Sequence, residues 1–202
     1  MSADVETVAD REFFHVTRDV AHNRHAPLMI GATLEVEDRP NPFFGFYESV
    51  HSYSVTTPTE VVQVPAIKFL KSISRGEINC PTLPKIAADV AEHYLLLARE
   101  IIMEQVRREI APDAPSRQTC LWLTDTIEAA RVWQARLDGN RRIARLRVRG
   151  IIQRVDAAHL LGDSEPLSKT YHRARLYWEG HYSSTPEAET LFAGSAEVVE
   201  LL

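Results

Sequence analysis

RIARLRVRGIIQ, residues 142–153, decides how this chain is read. Arg145, Arg147 and Arg149 alternate with Leu146 and Val148, the period-two pattern of a strand with one arginine face and one apolar face. Two strand-like pieces follow near the end of the sequence, at 189–192 and 196–201 around Gly194. A third lies at 119–124, Thr-Cys-Leu-Trp-Leu-Thr, and a fourth at 12–18, Glu-Phe-Phe-His-Val-Thr-Arg, where aromatic and β-branched residues dominate. Residues 28–36 give a weaker extended segment around Gly31. Between the strands at 119–124 and 142–153, Asp125 or Thr126 caps a helix over about 127–137, with Glu128 in its first turn and Gly139-Asn140 at its end.

The clearest helix runs from Leu83 to Ile110. Pro84 suits its first turn and Pro112 lies just past its end. Ile86, Val90, Leu97, Ile101 and Val106 recur at helical spacing. Residues 61–74 read as a further helix, and 157–175 as irregular or helical. The stretch 38–60, with Pro40, Pro42 and Pro58 among Phe43, Phe44, Phe46, Tyr47 and Tyr53, reads as a loop with partly ordered pieces. Strand, helical insertion over about 43–115, strand–helix–strand and a strand-rich end make the fold class α+β, in a single domain over 1–202.

Composition bounds the function. The 202 residues carry a net charge of −5, which argues against a generally basic nucleic-acid binder. Charge is uneven: residues 1–115 hold 17 acids and 11 bases, whereas 116–202 hold 11 acids and 12 bases. The longest apolar run, Tyr94 to Ala98, is far too short to span a bilayer. The opening Met-Ser-Ala-Asp-Val-Glu lacks the apolar core of a secretory signal, and Cys80 and Cys120 make no disulfide framework. A reduced, cytoplasmic setting is expected, or delivery into a target cell without a cleavable signal.

No GxxxxGK[ST], GxGxxG or GxSxG occurs. His22 and His25 form an i, i+3 pair with no Cys or carboxylate beside them, so they read as solvated loop rather than a metal site, and no metal is expected. His93 reads as a helix-surface or packing histidine. The arginines at 145, 147 and 149 read first as a solvated strand face and second as an anion or nucleic-acid surface.

Four segments carry a resemblance. FFHVTR (13–18), LWLTDTIEAARVW (121–133), RIARLRVRGIIQRVD (142–156) and EAETLFAGSAEVVE (187–200) stand in the order and spacing of the ADP-ribosyltransferase superfamily, in its histidine–aromatic–glutamate branch. The first resembles the opening of rifampicin ADP-ribosyltransferases and of DNA-targeting ADP-ribosyltransferase toxins; the last resembles the ending that holds the toxin-type glutamate. The matched parts cover about 12–36 and 119–202. The resemblance implies a split antiparallel β-sheet core and NAD⁺ as substrate.

Carried over by position, His15 would bond a ribose hydroxyl, the Val16 backbone would meet the nicotinamide amide, and Trp122, standing where relatives hold tyrosine, would pack on the nicotinamide ring. Glu189 would bind the nicotinamide-ribose 2′-hydroxyl and stabilise the ribosyl cation, with Asp156 and then Glu187 as rival acids. Thr17, Gly31 and Thr124 would complete the cofactor site, and Arg18 would neutralise the pyrophosphate. The implied reaction is transfer of ADP-ribose to a protein, nucleic acid or small-molecule acceptor, by a bacterial toxin, effector or defence enzyme with a neutralising partner protein. Two alternatives stand beside it: a non-catalytic binding module on the same fold, and an NAD⁺ hydrolase or RNA 2′-phosphotransferase.

Overall fold

The structure, a computed structural model, describes residues 5–19, 27–36, 39–137, 139–160 and 163–202. The segment quoted above lies in its central strand. This strand, β6 (Asn140–Asp156), pairs antiparallel with β1 (Val5–Asp19) on one edge and β7 (Ala188–Leu201) on the other. The outer edge of β7 takes two short strands: β2 (Thr33–Val36) opposite residues 194–197, and β5 (Leu121–Leu123) opposite 190–192. Just past β5, Thr124 exchanges backbone hydrogen bonds with Phe14 of β1, at 2.9 and 2.8 Å. The two edges of a strongly curled sheet therefore meet at β5.

The curl has a local cause. Gly150 of β6 faces Gly194 of β7, with φ of +155° and +133°. A Cβ on Gly150 would lie 2.2 Å from the Ala193 carbonyl oxygen, and one on Gly194 would lie 2.4 Å from that of Arg149. The strands touch backbone to backbone, which only glycine permits. At the same level the β1–β6 register shifts between Val8 and Arg11, where Asp10 has φ +56°. All three long strands thus bend in one row.

The bend gives one strand face two environments. On one side of it, Arg145, Arg147 and Arg149 face solvent. Arg145 pairs with Glu12 at 3.2 Å and Glu200 at 2.9 Å, Arg147 with Glu197 at 3.2 Å, and Arg149 with Asp10 at 2.9 Å. The arginine face is a cross-strand ladder matched by acids of β1 and β7. On the other side, the same face carries Gln153 and Val155 and is covered by α3 (Leu83–Ile110) and α5 (Leu167–Trp178). Met103, Val106, Tyr177 and Trp178 pack there on Val155 and Leu191. The opposite face holds a second core of Phe13, Leu123, Leu146, Val148, Ile152 and Phe192.

The class is α+β with antiparallel sheets, and α3 has the expected bounds. α4 (Ile127–Arg136) starts at Thr126, whose hydroxyl accepts from the Ala129 N–H. The segment expected to be a helical insertion holds more than helices. α1 (Pro42–Tyr47) and β3 (Ser52–Thr56) lie within the expected loop. The helix expected over 61–74 splits into β4 (Val61–Pro65), paired with β3, and α2 (Ala66–Ser74). Val61, Val62 and Val64 favour strand, and Pro65 restarts the chain as helix. β1 extends the expected 12–18 strand back to Val5, and the two C-terminal strand pieces are one strand through Gly194. Among the described residues, no helix is long and apolar enough to cross a membrane.

Gly194→Ala forces a Cβ into backbone. It is expected to cost about 2–4 kcal/mol and to lower Tm by roughly 5–15 °C, read by thermal unfolding followed by circular dichroism. An unchanged Tm would show that the bend does not need glycine.

Candidate functional site

The site is built around a buried arginine that the sequence reading passed over. α3 turns Glu100 and Glu104 inward, 1% and 7% exposed. Glu104 fastens the loop that leaves the helix: it accepts from Ser116 Oγ at 2.7 Å and from Arg107 and Arg108, while Arg107 donates to the carbonyls of Pro112 and Ala114. Burial opposes ionisation of Glu104, but these donors outweigh it and bring its pKa to about 2. Its pairing therefore stabilises the fold fully above the ordinary glutamate range and loses effect as pH falls towards 2. On the loop's other side, Asn41, the N-cap of α1, donates to the carbonyls of Arg117 and Cys120 at 2.8 and 3.1 Å.

So held, Arg117 sits between two carboxylates. Its Nε donates to Glu100 Oε2 at 3.1 Å and its Nη1 to Glu189 Oε1 at 2.5 Å. Arg99 closes the chain on Glu100 at 2.8 Å. Tyr177 of α5 accepts from Arg117 Nη1 at 2.7 Å and donates to Glu189 Oε1. Burial disfavours each charge, but the pairing dominates: Glu100 is held below the usual carboxylate range by Arg117 and Arg99, and Arg117 well above its own by Glu100, Tyr177 and Glu189. The four charges cancel, the condition for keeping them under cover.

Both donors to Glu189 meet the same oxygen. Oε2 accepts no hydrogen bond among the described residues, although Glu189 is only 7% exposed. The carboxylate is thus fixed through one oxygen and keeps the second available.

Trp122 joins the expected residues. It pairs across the sheet with Leu191, two residues from Glu189 on the same face, and its ring lies 5.6 Å from the Arg117 guanidinium carbon. His15 reaches it from the other face, by strand alternation the side of Phe13. The His15 Nδ1 donates to the Trp122 carbonyl at 2.9 Å. Burial lowers the pKa of His15. A neutral ring protonated at Nδ1 has its Nε2 lone pair free to accept. His15 and Glu189 thus flank β5 from opposite faces of the sheet: Glu189 shares the face of Trp122, and His15 meets only the Trp122 backbone. Phe43 of α1 meets the Trp122 ring edge-on at 5.7 Å.

The remaining candidates fall elsewhere or carry structure. Val16 and Thr17 continue β1 opposite Ile143 and Arg142. Thr124 holds β5 to β1, its hydroxyl donating to Thr126 O at 3.2 Å. Gly31 has φ +81° and donates its N–H to Val198 O at 2.8 Å, in open space. The Arg18 side chain, His22 and His25 lie outside the described residues. Asp156 is engaged by the backbone N–H groups of Ala158, Ser183 and Glu187 at 2.7–2.9 Å and ties two loops together. Glu187 pairs with Arg136 at the surface. No group of three or more potential metal ligands exists among the described residues.

Removing one member of a buried ion pair leaves the other charge stranded. Arg117→Leu is expected to cost about 3–5 kcal/mol, whereas Glu189→Gln keeps an oxygen acceptor for both donors and costs about 1–2 kcal/mol. Urea unfolding of the two variants checks this, and equal costs would contradict it.

The residues of this arrangement run from His15 in β1 to Glu189 in β7. No curated protein matches the chain. A family model described as a protein of unknown function, DUF2441, matches residues 13–202 and so takes in all of them; the chain belongs to that family.

Proposed function

We propose that the chain transfers ADP-ribose from NAD⁺ to an acceptor, with release of nicotinamide. One observation carries this reading: a buried glutamate held through Oε1 by Arg117 and Tyr177, with Oε2 unengaged among the described residues, on the same sheet face as Trp122. Breaking the bond between ribose C1′ and the nicotinamide nitrogen sends the bonding pair to that nitrogen and leaves positive charge on the ribosyl ring. The chemistry needs an immobile anion beside that charge, and a fixed carboxylate costs no reorganisation as it develops. Glu189 Oε2 would accept from the 2′-hydroxyl. The Trp122 ring would supply a flat surface for nicotinamide, and His15, on the opposite sheet face, would steady Trp122 through its backbone carbonyl. The acceptor's nucleophile then bonds to C1′ and gives up its proton.

The resemblance in FFHVTR, LWLTDT and EAETLF, in that order along the chain, supports the same assignment. By analogy the role is that of a bacterial toxin, effector or defence enzyme. An RNA 2′-phosphotransferase would draw on a basic surface such as Arg145, Arg147 and Arg149, and these pair with carboxylates of their own sheet. A second reading does have an observation in its favour. The Arg117 ion pair also suits a non-catalytic module in which Glu189 only holds the loop to the sheet.

The two readings part on one variant. Under the catalytic reading, Glu189→Gln folds but lowers nicotinamide release from NAD⁺ by about 10²–10³-fold, measured chromatographically with a cell lysate as acceptor source. Release unchanged by the substitution, or absent from the wild type, would give the site to the binding module.

A further inference from the structure

A second group of buried titratable side chains lies where α1 and β3 meet α3. His93 of α3 is 4% exposed and stacks on His51, with ring centroids 4.4 Å apart and planes at 26°. Phe46 and Tyr47 from the end of α1 pack on His93 at 5.8 and 5.3 Å, and Tyr94 at 5.2 Å. Among the described residues neither His93 ring nitrogen meets a partner in hydrogen-bond geometry, although the Tyr47 backbone acts on the ring in the sense that favours its proton. His51 shares a hydrogen bond with the Tyr53 hydroxyl at 3.0 Å, and Tyr53 stacks on Phe69 of α2. Asp89 of α3 acts on Tyr53. Among the described residues, no carboxylate pairs with either imidazole. A proton on His93 places a cation under cover beside His51 with no counter-ion among the described residues, which burial disfavours.

The cluster also supports α1. α1 has six residues and buries none of them. One end is tied by Asn41 to the carbonyls of Arg117 and Cys120, and the other rests on His93 through Phe46 and Tyr47. Between these ends Phe43 touches both Tyr47 and Trp122, at 5.0 and 5.7 Å. A line of rings thus runs from the histidine stack to the aromatic residue of the candidate site.

We propose that the His51–His93 stack is a pH-sensitive latch: uncharged, it holds α1 against α3; protonated, it releases α1 and withdraws Phe43 from Trp122. Burial and then the neighbouring His51 lower the pKa of His93. The sign follows. Above about pH 6.5 the ring is neutral whether α1 is docked or free, and docking is strongest. Below it, the free form takes up a proton that the docked form resists. Docking weakens by up to about tenfold per pH unit until the docked pKa is reached. The release stands apart from the reading of Glu189; only its effect on NAD⁺ chemistry rests on that reading.

Amide hydrogen exchange of the full chain by NMR, between pH 8 and 5 and corrected for intrinsic rates, tests the latch. Below pH 6.5, amides of 43–48 and 52–56 are expected to exchange up to about tenfold faster per pH unit, while those of 144–152 hold constant. The Trp122 indole N–H, assigned through Trp122→Phe, should shift over the same range. In His93→Phe or His51→Phe, which keep a ring without a charge, both effects should vanish; either variant suffices if the other fails to fold. Protection of 43–56 that ignores pH in the wild type would overturn the proposal, as would an unchanged pH response in a folded variant. No readout uses NAD⁺, so failure here and failure of the catalytic reading are separate results.

Discussion

Arg117 is the joint on which the remaining arrangement depends. It lies in a loop, yet it is 4% exposed, and it connects α3 through Glu100, α5 through Tyr177 and β7 through Glu189. A charge under such cover is costly unless paired, and pairing it on two sides fixes its position. The consequence reaches outward. Glu104, Ser116 and Arg107 hold one end of the loop, and Asn41 the other, so the guanidinium is positioned by backbone as much as by salt bridges. Glu189 is then oriented by a group that is itself bonded on three sides, and it presents one oxygen rather than two.

The sheet brings the other candidates to the same place by a separate route. Backbone contact at Gly150 and Gly194, together with the bulge at Asp10, curls three long strands until β5 can pair with β7 and also reach β1. β5 is only three residues long, but Trp122 in its middle receives His15 from one face and shares the other with Glu189. The same bend separates an arginine–carboxylate ladder in solvent from an apolar surface under two helices. Bend, loop and ion pair together locate the site; α1 covers its edge through Phe43.

Much of the fold was legible because its signals are local. Pro84 and Pro112 bracket α3, and alternation in RIARLRVRGIIQ marks β6. His15, Trp122 and Glu189 were singled out by motif order, through the resemblance, and not by residue type. Their meeting was not legible, because it depends on strand parity and on a curl set by two glycines far apart in sequence. Arg117 was missed for a related reason. It carries no local pattern, and its only trace is on another element: Glu100 and Glu104 fall on the buried side of α3, where apolar residues are expected. Ile101, assigned to the apolar stripe, is instead 49% exposed. Acids on a buried helix face imply buried cations, but not which ones. The β3–β4 hairpin was read as loop and helix because Pro58 and Pro65 punctuate it and its strands have no long partner.

We propose that the sheet face shared by Glu189 and Trp122 receives NAD⁺. Titration of NAD⁺ into the isotope-labelled chain, followed at the Trp122 indole and the backbone amides of Val16 and Glu189, tests it before any question of turnover arises. The account predicts saturable shifts at these three positions, with the same Kd at each. Shifts confined to other parts of the sheet, or none at millimolar NAD⁺, would contradict it.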